Sequence, residues 1–264
     1  VATDDVKNTC QRLHISDPHF TPEQITKIKN KSLFVFANRD PMEQHNTRCL
    51  HMTHSMSNPV ATLQPKCEGR AKSHKAVHKH FTNSKSPTML KCCVGAWVQI
   101  AGRNLRPKWG LYNGARGKIV EFNFNKNDNP NENKFPNYIV VEFPSCTGPV
   151  WDKNNPKHVP TPMAEERCEK CCCSKHFFPV VLSFATTLHT IQGLEAGPSK
   201  NGMPKTAESM VIDIGSRNFE LKAPGLFYVA ASRGSSFGNG DFSQSSIFLQ
   251  VKILLKIEIL KIYQ

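Results

Sequence analysis

Three short segments of the 264-residue chain hold residue types that could do chemistry. The first is YVAASRG (228–234), an apolar stretch that stops at Ser232-Arg233-Gly234. A guanidinium stays protonated and offers a planar fork of donors. Arg233 at a helix end could therefore lie on a phosphate and stabilise charge building there. The plainer reading is a surface arginine that closes the helix. The second segment is TTLHTIQG (186–193). Thr187, His189 and Gln192 set short polar groups at the end of an apolar strand candidate, where hydroxyl and backbone groups can grip phosphates, and Gly193 permits close backbone approach. Taken alone, His189 would more often be structural. The third runs from Arg103 to Lys118, with five Lys/Arg, no acid, and Trp109 and Tyr112 between them. Charge for a backbone and flat rings for stacked bases are what a single-stranded nucleic-acid groove needs. Within it GLYNGARG (110–117) has the glycines of a tight turn, and Asn113-Gly114 is a strong hairpin signal. Asn104 and Arg103 precede it, and a role in the turn suits them at least as well as nucleic-acid contact.

Bulk charge agrees with a polyanionic partner. The net charge is +13, and from Lys66 to Lys91 there are seven Lys/Arg and one acid, with His74, His78 and His80 added. Each phosphate neutralised by such groups releases counterions. No run of 18 uncharged apolar residues occurs, so no membrane span is expected. The first residue is Val and no basic-then-apolar leader follows it. The expectation is an intracellular protein that is not secreted, placed in the nucleus or mitochondrion if the source is eukaryotic. The ten cysteines would then stay reduced. The run Cys168-x-x-Cys171-Cys172-Cys173-x-x-His176 has enough thiolate and imidazole for zinc. Tetrahedral zinc wants two separated ligand pairs, however, and no second CxxC exists, so free thiols are expected and no metal site.

The elements that must position these groups read as follows. Thr21-Pro22-Glu23-Gln24 opens a helix after a polar start. LFVFANRD (33–40) is a buried strand and MEQHNTRCL (42–50) a helix, a β-then-α step. Residues 51–88 read as a long surface loop. VGAWVQIAG (94–102), GKIVEF (117–122) and NYIVVEFP (137–144) are short strands with turn-rich connections, which suggests a small antiparallel barrel or ribbon. Residues 145–176 read as loop. FFPVVLSFATTLHTIQG (177–193) is a strand that becomes helix or loop at its polar end, SMVIDIG (209–215) a buried strand, and APGLFYVAASRG (223–234) a helix. The predicted division is a lead-in at 1–31, a discontinuous α/β domain at 32–88 and 177–250, a β-rich insertion at 89–176 and a tail of unassigned structure at 251–264.

LFVFANRDPMEQHN, LKCCVGAWVQIAGRNLRPKWGLYNGARGKIVEF, FFPVVLSFATTLHTIQGLEAG and PGLFYVAASRGSSFG occur in this order. Together, over residues 32–240, they resemble helicases of the PIF/RecD type within superfamily one. The resemblance implies an α/β fold: a RecA-like, P-loop NTPase-type second motor domain, with a mostly parallel sheet and flanking helices, that carries an inserted small antiparallel β-barrel. It implies that Arg233 is the arginine finger, that Arg233, Gln192 and Gly193 face the nucleotide, and that Thr187, His189, Asn104, Arg103, Asn113 and Trp109 face DNA. Asn38 and Asn46 match the motif at the first strand, and Arg39 could reach nucleotide or DNA. The implied ligands are ATP, Mg²⁺ and DNA, preferably single-stranded. The chain departs from the family at Thr190-Ile191, where Lys-Ser is usual.

A helicase motor also needs a G-x-x-x-x-G-K-[ST] loop. None occurs; Gly117-Lys118 is followed by Ile119. The chain by itself is therefore expected to hydrolyse no ATP, with ATP and Mg²⁺ bound mainly by an N-terminal motor domain outside this sequence. The alternatives are an inactive remnant, a non-enzymatic single-stranded nucleic-acid-binding module, or a zinc-dependent binder built on the cysteine run.

Overall fold

Thr21 starts the first helix by a reciprocal cap. Its Oγ1 accepts from Gln24 N at 3.2 Å and its own N–H donates to Gln24 Oε1 at 2.8 Å, with Pro22 supplying a preset φ at the first position. In the computed structural model this is α1 (Pro22–Lys31). Thr21→Ala should lower stability by about 1 kcal/mol, read as a shift in urea midpoint at unchanged m-value. The structure describes residues 12–68, 81, 87, 89–124, 135–168, 173–191, 194–197, 207–213, 215, 225–236 and 245–250.

Two compact units divide the chain: Val1–Asn46 with Phe184–Gln264, and Thr47–Ser183. The first is built on β1 (Leu33–Phe36), every residue of which is buried. It pairs in parallel with β12 (Ala185–Thr187) on one side and β13 (Met210–Asp213) on the other, and β13 pairs in parallel with β14 (Ile247–Leu249). The sheet order is thus β12-β1-β13-β14. Strands buried on both faces read as continuous apolar runs, as LFVF and IFL do. Alternate residues go to opposite faces. Leu33, Val35, Met210, Ile212, Ile247 and Leu249 share one core with Leu188, Ile191 and Ala230, while Phe34, Phe36, Val211 and Phe248 share another with Ile15, Phe20 and Ile28. Helix α2 (Arg39–Thr53) follows β1, and the short α3 (Leu226–Ala231) precedes Arg233.

The second unit is antiparallel. Its main sheet has the order β11 (Val180–Leu182), β5 (Trp97–Ile100), β6 (Arg116–Asn123), β7 (Tyr138–Glu142) and β8 (His158–Pro162). Val98, Ile100, Ile119, Ile139, Val141, Phe143 and Val180 fill the core beneath it. Two smaller ladders join β2 (Ala61–Leu63) to β4 (Leu90–Cys92), and β3 (Lys66–Glu68) to β10 (Ser174–Phe177) and β9 (Ala164–Arg167). Gly110 sits at φ 75°, and a Cβ there would lie 2.2 Å from Ser145 O, so only glycine lets these two loops meet.

The structure moves several predicted boundaries. Residues 12–31 are part of the first unit, because Leu13, Ile15, Phe20 and Ile28 sit in its cores. The expected loop at 51–88 contains β2 and β3, and the expected loop at 145–176 contains β8, β9 and β10. Pairing of β3 with β10 and of β11 with β5 draws residues 47–88 and 177–183 into the inserted unit. The long strand candidate at 177–193 is β11 and β12 in different sheets, followed by a 3-10 turn, Leu188–Ile191. The antiparallel insertion is the five-stranded sheet β11-β5-β6-β7-β8, and no pairing between β8 and β11 is recorded among the described residues. The tail at 251–264 lies outside the described residues.

Candidate functional site

In a parallel sheet, ligands gather beyond the carboxyl ends of the strands, where successive connections leave in opposite directions. Here β1 leads to β12 on one side, and its neighbour β13 leads to β14 on the other, so that point lies between β1 and β13. Ala37 N donates to Asp213 O at 2.9 Å, which extends the ladder to that edge. Beyond it stand the exposed Asn38 and Arg39, and Asp213, whose Oδ1 accepts from Gly215 N at 2.8 Å. Gly215, at φ 68°, leaves its Cβ position 3.8 Å from Asn38 Nδ2. Arg39 Nε is 2.6 Å from Glu43 Oε1, an exposed pair one helical turn apart. Asp213 and Gly215 were missed by sequence reasoning; the polar end of the apolar run MVID, followed by Gly, was the available signal.

Thr187 closes β12 at the same carboxyl edge. The backbone at the start of that strand is held by a buried amide: Asn46 Oδ1 accepts from Ala185 N at 2.7 Å and Asn46 Nδ2 donates to Ala185 O at 3.1 Å. The next turn sorts its residues by environment. Leu188 and Ile191 are fully buried, whereas His189 and Thr190 are exposed. Thr187 and Thr190 share a hydroxyl hydrogen bond of 2.9 Å. The departure at Thr190-Ile191 thus has a local account: Ile191 fills core and Thr190 pairs with Thr187. Gln192 and Gly193 lie outside the described residues.

The turn and α3 share one core, since Leu188 and Ile191 cluster with Ala230 and with Leu226 and Phe227 packed against them. The backbone joins them again. Ala196 N donates to Arg233 O at 2.9 Å, and Ser235 N donates to Ala196 O at 3.0 Å. The Thr187–Ile191 turn and the segment from Leu226 to Arg233 are therefore two parts of one packed frame. The half-buried Arg233 folds back on its helix end, donating from Nε to Val229 O at 3.2 Å and from Nη2 to Ser232 Oγ at 2.9 Å. No carboxylate pairs with it among the described residues. These bonds are to neutral acceptors.

The second unit brings the remaining predicted residues into two interlocked loops. Asn104 Oδ1 accepts from Asn113 N at 2.7 Å, so the Asn104 side chain ties the turn together, while Asn113 is exposed. Arg103 is exposed and donates to Glu165 O at 3.2 Å. Trp109 is 38% exposed; its carbonyl accepts from Thr147 N, and Gly148 lies under its ring. Arg106 stands 5.7 Å from the Trp109 ring centroid. The second loop adds an aromatic residue that sequence reasoning did not single out. Trp151 is 54% exposed and meets Tyr138 edge-on at 6.1 Å. The adjacent Asp152 is engaged by Asn155 and by Asn154 N, and those bonds hold its carboxyl below the usual range.

Cys67 and Cys168 pack against the buried Cys173, and burial raises the Cys67 thiol while Lys175 lowers it and Cys173 raises it. Among the described residues no three His, Cys, Asp or Glu side chains are grouped to hold a metal ion. Cys171 and Cys172 lie outside them. Nor is any described helix long and apolar enough to cross a membrane.

No family model and no curated protein matches the sequence. Solved structures do. The chain is similar to the Pif1 helicase of Candida albicans at 20% identity and a TM-score of 0.59, over 100% of this chain and 53% of that one. It is similar to a Bacteroides Pif1 helicase in complex with ADP-AlF3 and ssDNA at 16% identity and a TM-score of 0.55, over 99% and 50%. A Pif1 helicase structure concerned with DNA unwinding at forked dsDNA gives 16% identity and a TM-score of 0.56, over 99% and 48%. The chain spans about half the length of these structures. At such identities the likeness establishes the fold: α/β, with the parallel sheet of a RecA-like unit and an antiparallel insertion.

Proposed function

We propose that this chain is the second motor half of an ATP-dependent DNA helicase of the PIF/RecD type, coupling ATP hydrolysis to movement along single-stranded DNA and to duplex unwinding. The observation that carries this reading is the shared frame of Thr187–Ile191 and Arg233. A change at the nucleotide felt by Arg233 passes through the Ala196 backbone bridge and the Leu188–Ile191–Ala230 core to Thr187 and His189 at the strand end. Arg233 supplies a cation to the phosphates. Gln192 and Gly193 border the same nucleotide. ATP and Mg²⁺ bind mainly to a phosphate-binding half outside this sequence, and Mg²⁺ neutralises phosphate charge there. The fit rests on Arg233, whose charge no described carboxylate consumes. Thr187 and His189 receive the DNA backbone; Arg103 and Trp109 add a second contact, while Asn104 and Asn113 shape the loop that presents them. On this reading the protein acts inside the cell, in the nucleus or mitochondrion if the source is eukaryotic, in DNA repair or recombination.

A second reading, a non-enzymatic single-stranded nucleic-acid-binding module, is favoured by the exposed Trp109 and Trp151, with Arg106 5.7 Å from the Trp109 ring centroid. Both readings require strand binding. Fluorescence anisotropy of a labelled oligothymidylate titrated with the chain tests it. Replacing Trp109 and Trp151 together by Ala should weaken binding by about 1–3 kcal/mol for each base that loses its stacking partner. Affinity should also fall steeply with salt. Absence of strand binding at low salt sinks both readings. Turnover of ATP in the full-length protein, lost with Arg233, separates the first from the second.

A further inference from the structure

Arg116 is the least expected charge in the molecule. Sequence places it in a turn, Asn113-Gly114-Ala115-Arg116, yet it is only 5% exposed. One face of the guanidinium is covered by Trp97, 4.1 Å from its Cζ to the ring centroid. Nε donates to Ser183 O at 2.8 Å. The two Nη groups make no hydrogen bond among the described residues, and no carboxylate pairs with them there. They are also not sealed: the single enclosed side-chain nitrogen or oxygen without a partner among the described residues is Gln250 Oε1. The free edge of the fork therefore keeps a narrow opening to solvent. Burial alone pulls the arginine down to about 9, which leaves it charged at neutral pH. A buried, uncompensated cation destabilises a fold unless something else keeps it there.

The neighbours on the same sheet face are donors as well. Gln99 lies directly across from Arg116, and Trp97 across from Lys118. Ser183 Oγ donates to Gln99 Oε1 at 3.1 Å, so the acceptor of that amide is occupied and its Nε2 donors are left over. Lys118 is exposed at the rim. The acid nearest along the ladder is Glu142, opposite Lys118 rather than Arg116. We infer that Arg116, with Gln99 Nε2 and the Lys118 rim, forms a binding site for one tetrahedral oxyanion, a phosphate, seated on the free edge of the buried guanidinium. A planar fork fits two oxygens of such a group. The phosphate is either one unit of a nucleic-acid backbone or a free phosphate. The inference does not rest on the motor reading, since it can be tested on a chain that turns over no ATP.

The test is thermal unfolding of the full chain in increasing sodium phosphate against sodium chloride of equal ionic strength. Wild type should gain Tm with the logarithm of phosphate and not with chloride, because a ligand that binds only the folded state stabilises it by mass action. Arg116→Met should weaken the apparent phosphate affinity about tenfold or more, the equivalent of one charge-assisted hydrogen bond. A purely structural arginine would lower Tm on substitution and leave the phosphate response as it was. Should Arg116→Met fail to fold, Gln99→Met is read instead, with the response weakened about threefold, the share of a neutral hydrogen bond. The inference is overturned by no phosphate response beyond that of chloride, or by an equal response in wild type and whichever variant folds. A labelled oligonucleotide identifies the source. Weaker binding in the variant together with displacement by phosphate assigns a backbone phosphate. Unchanged strand binding with a lost phosphate response assigns a free one.

Discussion

Arg233→Ala is expected to lower ATP turnover by about 10³-fold or more in the full-length protein, with nucleotide affinity little changed, because an arginine finger acts on charge that develops only in the transition state. Its positioning supports that expectation. The backbone of Arg233 is pinned by Ala196 N at 2.9 Å, while among the described residues its guanidinium donates to Val229 O and Ser232 Oγ alone. The side chain can therefore leave weak local bonds for a phosphate without breaking an ion pair. Arg233→Lys should recover little, since a point charge lacks the fork. Steady-state ATP hydrolysis with saturating single-stranded DNA is the measurement. A kcat within about threefold of wild type would remove Arg233 from the chemistry, a difference of well under 1 kcal/mol.

Asn46→Leu is expected to cost about 2–4 kcal/mol of stability, because it strips partners from two buried backbone groups of one residue. Asn46 is 6% exposed, and its amide serves both the N–H and the carbonyl of Ala185. The substitution leaves both groups without their side-chain partners at a buried position. Exposed polar side chains change by about 0.5 kcal/mol or less under comparable replacement. Ala185 opens β12 two residues before Thr187, so the same variant should also weaken strand binding. Urea denaturation by circular dichroism and oligonucleotide anisotropy read the two effects. A stability loss below about 1 kcal/mol would show that water or a neighbour substitutes for the amide.

Much of the fold was legible because the parallel strands are buried on both faces. LFVF and MVID admit few polar side chains, and such runs stand out without knowledge of their partners, whereas the equally buried IFL of β14 was not singled out. The cap at Thr21-Pro22 was legible for a local reason, since all its bonds lie within three residues. Strands β3 and β9 were not. KCE and AEER alternate half-exposed and exposed positions and are held by ladders to β10. A short polar edge strand has no composition of its own; its partner exists only once the chain has folded.

The candidate site divides in the same way. By itself the sequence determined the chemistry on offer: a guanidinium after a short helix, hydroxyls and an imidazole at a strand end, and rings among basic groups. It also determined the turn at Asn113-Gly114. Tertiary structure decided which groups are available. It turned Ile191 inward and Thr190 toward Thr187, spent Asn104 on Asn113, and placed Trp151 on the loop that locks onto Trp109. It also buried Arg116 against Trp97 with its fork half used. Residue type sets what a side chain can bind, but burial and bonds already made set what it is free to bind, and those depend on contacts between residues far apart in the chain.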